Sequence, residues 1–158
     1  MKRKLLEINP NIKVEYIIAD SSRLKESLDS IKDCLSNKIV TVLVNNVGVE
    51  TGEPEPFIDK NDSNIDRIID VNIRFSTYLT RTLLPTIQMN CKKLGCKGAI
   101  INLSSIAGVI SPPLMSTYAG SKSYNQMFSI SLAKECRAHY QGIIDVLSVR
   151  PTLVLSSL

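Results

Sequence analysis

Residues 38–48 read KIVTVLVNNVG. An apolar, largely β-branched run breaks abruptly into Asn45-Asn46-Val47-Gly48. A strand with one face in water alternates apolar and polar residues. A continuous run is expected of a strand covered on both faces. Similar runs occur at VEYIIA (14–19), GAIINL (98–103) and GIIDVLSV (142–149), and three of the four are nearly continuous. Helical spacing fills the intervals. Leu24, Leu28, Ile31 and Leu35 form one apolar stripe. Ile65, Ile68, Ile69, Asn72, Phe75, Leu79 and Leu83 form another, expected to end near Pro85. Tyr118 to about Tyr140 contains no proline and reads as a long helix, and residues 2–8 as the tail of one more. The alternation predicts an α/β domain over 1–158, a parallel sheet flanked by helices.

The length of 158 residues allows one domain with a real core. Apolar residues make up 44% and charged residues 22%, within the range of globular proteins. The net charge is +4, with one basic cluster at Lys2-Arg3-Lys4. A basic stripe with interleaved aromatics is missing, so a nucleic-acid partner is not expected. No apolar run reaches the roughly 18 residues of a membrane span. Cys34, Cys91, Cys96 and Cys136 are irregularly spaced beside a single histidine, His139, which argues against a zinc site. Cys91 and Cys96 could pair, but reduced thiols are the expectation without an export signal.

Open parallel sheets place ligands at the carboxyl ends of their strands. The residues there are Asp20-Ser21, Asn45 to Gly48, Ser104-Ser105 and Arg150-Pro151-Thr152. Each set is ordinary loop chemistry, yet together they suggest a shared polar rim. In YAGSK (118–122) a phenol and an ammonium stand four apart, hence on one face of a helix. A surface helix that happens to carry both is the bland alternative. A free phenol ionises near pH 10. A cation within about 4–6 Å favours the ionised form by roughly 1–3 units, toward the range useful for acid–base work. Asn72 is an odd member of an apolar stripe, either a satisfied core amide or a functional group.

VLVNNVG (42–48), VNI (71–73), IINLSSIAG (100–108), YAGSK and VRPTLV (149–154) are similar, in order and spacing, to the motifs of the short-chain dehydrogenase/reductase family. The resemblance covers almost the whole chain. NNVG, SSIAG and a proline ending without glycine resemble the branch of 17β-hydroxysteroid dehydrogenases and very-long-chain 3-oxoacyl-CoA reductases. The resemblance implies a Rossmann-like fold and hydride transfer from NADP, or NAD, to a ketone of a fatty-acyl or steroid-like substrate. It implies Tyr118 as acid/base, Lys122 as its cation and ribose partner, Ser105 on the substrate oxygen and Asn72 holding a relay water. It places Asp20 by the adenine, Asn45, Asn46 and Gly48 under the adenosine, and Pro151, Val154 and Ser156 near the nicotinamide. Thr152 stands where the family more often has glycine.

The family's glycine-rich phosphate loop is not found in the sequence. The resemblance implies that the first βαβ unit and the C-terminal substrate region lie outside this chain. A fragment, a truncated isoform and an incompletely read gene all fit that pattern. In the usual strand order two strands would separate 14–19 from 38–44. Without them VEYIIA is expected to shift beside KIVTVLV, to fray, or to borrow a partner's strand. Cofactor binding by this chain is expected to be weak, because the pyrophosphate lacks its helix N-terminus. The alternative to an enzyme is a catalytically inactive form that keeps a dimerisation surface. Association with a second copy or a full-length subunit would run through helices 62–84 and 118–140. Localisation by resemblance is the cytoplasmic side, at the endoplasmic reticulum.

Overall fold

The computed structural model describes residues 2–21 and 23–152. In chain order the elements are α1 (Lys2–Ile8), α2 (Leu24–Leu35), β1 (Val42–Asn45), a 3₁₀ turn (Phe57–Asp59) and α3 (Asp62–Ile69). A π-helical segment (Asp70–Phe75) follows, then α4 (Ser76–Leu94), β2 (Gly98–Leu103), α5 (Ala107–Ile110), α6 (Ser116–His139) and β3 (Ile144–Val149). The strands form one parallel sheet in the order β1-β2-β3. A parallel sheet packed against helices accords with the α/β, Rossmann-like expectation.

Register sorts the side chains. Leu43, Ile100 and Val146 lie level across the sheet, as do Val44, Ile101 and Leu147. The first row faces α4 and α6, with Ile87, Cys91, Leu132, Cys136 and Ile144 closing a core cluster around it. In the second row Val44 and Leu147 are each 52% exposed. The continuous apolar runs are thus explained by a sheet with two apolar faces, of which the described residues cover one.

Two expectations are corrected. VEYIIA (14–19) is not a strand. Apolar, β-branched composition favours a strand only where a neighbour supplies hydrogen bonds and packing, and here Tyr16 is 79% and Ile18 89% exposed. Glu15 instead makes ion pairs with Lys13 and Lys38. The second correction is at Pro85, which does not end its helix; α4 runs on to Leu94. Proline removes one backbone donor from a helix interior. Buried Leu83 and Ile87 on either side pack into the core and hold the helix through that loss. The expected helix 118–140 is Ser116–His139, and 24–35 and 98–103 fall where expected.

Candidate active site

Lys122 stands in the second turn of α6, only 6% exposed. Its ammonium donates to the carbonyl of Leu103, the last residue of β2, at 3.2 Å. The same nitrogen lies 5.6 Å from the centre of the Tyr118 ring, so both side chains share one face of the helix. Burial pushes the Lys122 ammonium below its ordinary value. The loop after β1 crosses directly over it. A Cβ on Gly48 would sit 3.0 Å from Lys122 Nζ and 3.6 Å from Asn72 Oδ1. Glycine therefore lets this backbone pass beside the ammonium.

Asn72 is fully buried in the π-helical segment. Its Oδ1 accepts from the Val49 amide at 2.7 Å, and its Nδ2 donates to the Val49 carbonyl and to Ser121 Oγ, both at 2.9 Å. Both amide hydrogens are therefore engaged within the protein. The side chain clamps the post-β1 loop to α6. The π-helical turn is a local widening of the kind that recurs at functional sites.

Ser105 follows β2 by two residues, and its Oγ accepts from the Ala107 amide at 3.2 Å. Its carbonyl accepts from the Gly108 amide at 3.1 Å. Gly108 rests against the Lys122 and Ser123 backbone, where a Cβ would approach within 2.7 Å. Ser123 Oγ donates to the Gly108 carbonyl, and Ser104 Oγ donates to the Lys122 carbonyl at 2.6 Å. The short α5 is thus wedged between Ser105 and the Tyr118–Lys122 turn. Pro151 enters the same corner, its carbonyl accepting from the Ile106 amide at 3.0 Å.

Asn45 has a different surrounding from the one expected. Its side chain is buried and donates to Thr80 Oγ1 at 2.8 Å and Asn102 Oδ1 at 2.7 Å. Asn102 donates onward to Ser129 Oγ at 2.8 Å, and Ser129 to the Asn125 carbonyl at 2.6 Å. This polar row ties α4, β1, β2 and α6 together just beneath the site. Asn45 turns its side chain into the core, whereas Asn46 is exposed beyond the strand end. Asp20 is exposed, and its backbone is fixed by Ser27 of α2, which accepts from the Asp20 amide at 2.9 Å and donates to its carbonyl at 2.6 Å. It lines a cleft of about 590 Å³ with Val47, Val49, Asp66 and Val71. Val154 and Ser156 lie outside the described residues.

Asn72, Gly48, Tyr118 and Lys122 are therefore gathered at the carboxyl ends of β1 and β2, with Ser105 on the adjoining turn. Sequence reasoning placed Ser104 on the polar rim without a role and missed Ser121, Ser123, Asn102 and Ser129; together these position the set. Their only signal was the small, hydroxylic composition around the motifs. A nicotinamide dinucleotide is compatible with this set: a cleft beside Asp20 lined by valines together with Asp66, Arg67 and Asp70, a glycine crossing over a buried ammonium, and that ammonium beside a phenol.

The sequence profile described as short chain dehydrogenase matches residues 4–158. The chain is 34% identical over 157 residues to a very-long-chain 3-oxoacyl-CoA reductase of Kluyveromyces lactis, covering 99% of this chain and 45% of that protein. Among solved structures it is similar to a short-chain dehydrogenase of Streptomyces avermitilis (27% identity, TM-score 0.80, 98% of this chain and 54% of that one). It is also similar to a 3-ketoacyl-(acyl-carrier-protein) reductase of Brucella melitensis complexed with NADH (28% identity, TM-score 0.77, 86% of this chain and 55% of that one). The chain spans about half the length of the curated relatives it matches, and these are of the branch that the NNVG and SSIAG motifs resemble. With a profile match over nearly its whole length, the chain belongs to the short-chain dehydrogenase family.

Proposed function

We propose that this region carries the proton-transfer centre of a nicotinamide-dependent reductase acting on the 3-oxo group of a fatty-acyl thioester, or on a steroid-like ketone. What carries the reading is the Lys122 ammonium, buried, 5.6 Å from the Tyr118 ring centre and crossed by Gly48. The nucleotide, when bound, supplies the hydride. Tyr118 gives its hydroxyl proton to the oxygen of the ketone as negative charge gathers there. The Lys122 ammonium stabilises the charge left on the phenol oxygen, an effect strengthened by exclusion of water. Ser105 hydrogen-bonds the same substrate oxygen. Asp20, Asn46 and Gly48 would line the adenosine side, with the Asn45 backbone leading into them. Pro151 would stand beside the nicotinamide, the end to which the family resemblance also assigns Val154 and Ser156. Lys122 would also bond the ribose. NADP is preferred to NAD on the branch resemblance, as is a place on the cytoplasmic side of the endoplasmic reticulum. Among the described residues no helix is long and apolar enough to cross a membrane.

The test joins this chain behind the glycine-rich βαβ unit that the family places ahead of it and follows NADPH oxidation with a 3-oxoacyl-CoA. Tyr118→Phe should remove reduction while nucleotide fluorescence still responds. Near-normal turnover in that variant would remove Tyr118 from the acid role.

A second reading is an inactive form that associates with a second copy or a full-length relative. It is supported by Tyr78 on α4 and Tyr124 and Met127 on α6, all exposed. Sedimentation of the 158-residue chain alone and with such a relative separates the two readings; a monomer in both mixtures would discard the second.

A further inference from the structure

Helix α4 ends in a Schellman motif. Gly95 takes the left-handed conformation at φ 63°, its amide donates to the Lys92 carbonyl at 3.3 Å, and the Cys96 amide donates to the Cys91 carbonyl at 3.1 Å. In this motif the side chains at the two ends of that last bond face one another across the turn. An apolar pair usually fills them; here both are cysteines. Cys91 is buried and Cys96 exposed, and neither is bonded to another sulfur; burial first, and neighbouring Cys96 second, push the Cys91 thiol up. On the far side of Cys91 the chain carries Gly98, where a Cβ would stand 2.7 Å from the Cys91 sulfur. The glycine leaves the thiol its space. Around Cys96 the sequence is CKKLGCK, with Lys92, Lys93 and Lys97 all exposed.

We infer that Cys91 and Cys96 form a dithiol site that takes up a small anionic disulfide and is oxidised by it to an intramolecular bridge. The Cys96 thiolate attacks one sulfur of the reagent, whose S–S bond breaks. The first thiolate leaves and is protonated, and a mixed disulfide remains on Cys96. Cys91 then gives up its proton and attacks the Cys96 sulfur, releasing the second thiol. Two electrons pass from the protein to the reagent, and the two protons lost by the cysteines end on the two thiols released. Exposed Cys96 is the point of entry, and Cys91, behind it in the core, resolves the adduct. Lys92 and Lys93 draw a negatively charged disulfide to this turn, with Lys97 partly offset by its ion pair to Asp145 at 3.5 Å, an attraction that salt screens. The Cys96 amide to Cys91 carbonyl bond already holds the two backbones across one turn, and closeness of the two backbones is what a bridge requires.

The experiment treats the folded 158-residue chain with oxidised glutathione, quenches with an alkylating agent and maps tryptic peptides by mass. The expected product links peptide 82–92 to peptide 94–97 with the loss of two hydrogens, while Cys34 carries only a glutathione adduct. Recovery of Cys96 as a stable glutathione adduct, with Cys91 alkylated only after denaturation, would overturn the proposal. The wild-type map decides this even where a core variant fails to fold. Cys96→Ser, changed at an exposed position, should leave Cys91 unreacted; adduct formation at Cys91 in that variant would overturn Cys96 as the entry point. Raising the salt, or using uncharged hydroxyethyl disulfide, should slow the first step several-fold; equal rates would remove the lysines from the proposal.

Discussion

Asn72 donates through Nδ2 to Ser121 Oγ at 2.9 Å, and that hydroxyl donates to the Tyr118 carbonyl at 2.7 Å. One serine thus joins the π-helical segment to the first turn of α6. Because Asn72 also holds both backbone groups of Val49, a single amide sets the loop and the first turns of α6 relative to one another. Ser121 is a positioning residue in this arrangement.

Ser121→Ala strands one buried amide hydrogen of Asn72. The cost is expected at about 1–3 kcal/mol, read as a lower urea midpoint at unchanged slope. In a double-mutant cycle with Asn72→Ala the coupling should exceed about 0.5 kcal/mol. Strict additivity would mean that the two side chains do not depend on each other.

The row Thr80–Asn45–Asn102–Ser129 makes a stronger claim on stability. Asn102→Ala removes the acceptor for Asn45 and the donor to Ser129 at once. A loss of about 1–3 kcal/mol is expected for the stranded amide, with a cavity cost added. Thr80→Val should cost less, since Asn45 keeps Asn102. The order of the two urea midpoints checks this, and a larger loss for Thr80→Val would place the weight of the row on α4.

Burial lowers the Lys122 ammonium below its ordinary value of 10.5. Between the folded value and 10.5 the unfolded chain binds more protons at this site than the folded chain. Stability contributed by Lys122 is therefore smallest below the folded value and rises with pH through that window. Lys122→Met, which keeps the buried stem and removes the titration, should flatten the rise. Urea titrations of both proteins from neutral pH upward give the comparison. A difference between them that stays constant with pH would show that the ammonium is solvated rather than buried.

The sequence made the architecture legible where two signals agreed. At 98–103 a β-branched run is followed by a polar turn, and the strand lies there; at 24–35 an apolar stripe gives the helix. VEYIIA offered only composition, and a strand also requires a neighbouring edge, which local sequence does not contain. Pro85 misled for the converse reason, since packing of Leu83 and Ile87 overrides one missing donor. At the site, Tyr118, Lys122 and Ser105 were legible from spacing and family likeness, and Asn72 as a polar residue on an apolar stripe. The inward turn of Asn45 was not legible, because the side of a strand a residue faces depends on register with β2. The bond of Ser104 to Lys122, and the parts played by Ser121 and Ser123, were not legible either. Their bonds run between α6 and the strand end, loop and short helix packed on it, and no spacing rule encodes that contact.

Two glycines in this region separate close approach from mere permissiveness. Gly108 meets the backbone of Lys122 and Ser123, where a Cβ would come within 2.7 Å, and backbone atoms of a packed helix cannot swing aside. Gly120 lies inside α6, between Tyr118 and Lys122, with nothing within 4 Å of an added Cβ. Gly108→Ala should therefore destabilise by about 1–3 kcal/mol through overpacking. Gly120→Ala should stabilise by roughly 0.5–1 kcal/mol, since alanine loses less freedom in a helix. Thermal unfolding followed by far-UV circular dichroism tests both. A neutral Gly108→Ala would mean that α5 shifts freely on α6, and the link from Ser105 to Lys122 through that short helix would then be too loose to position either.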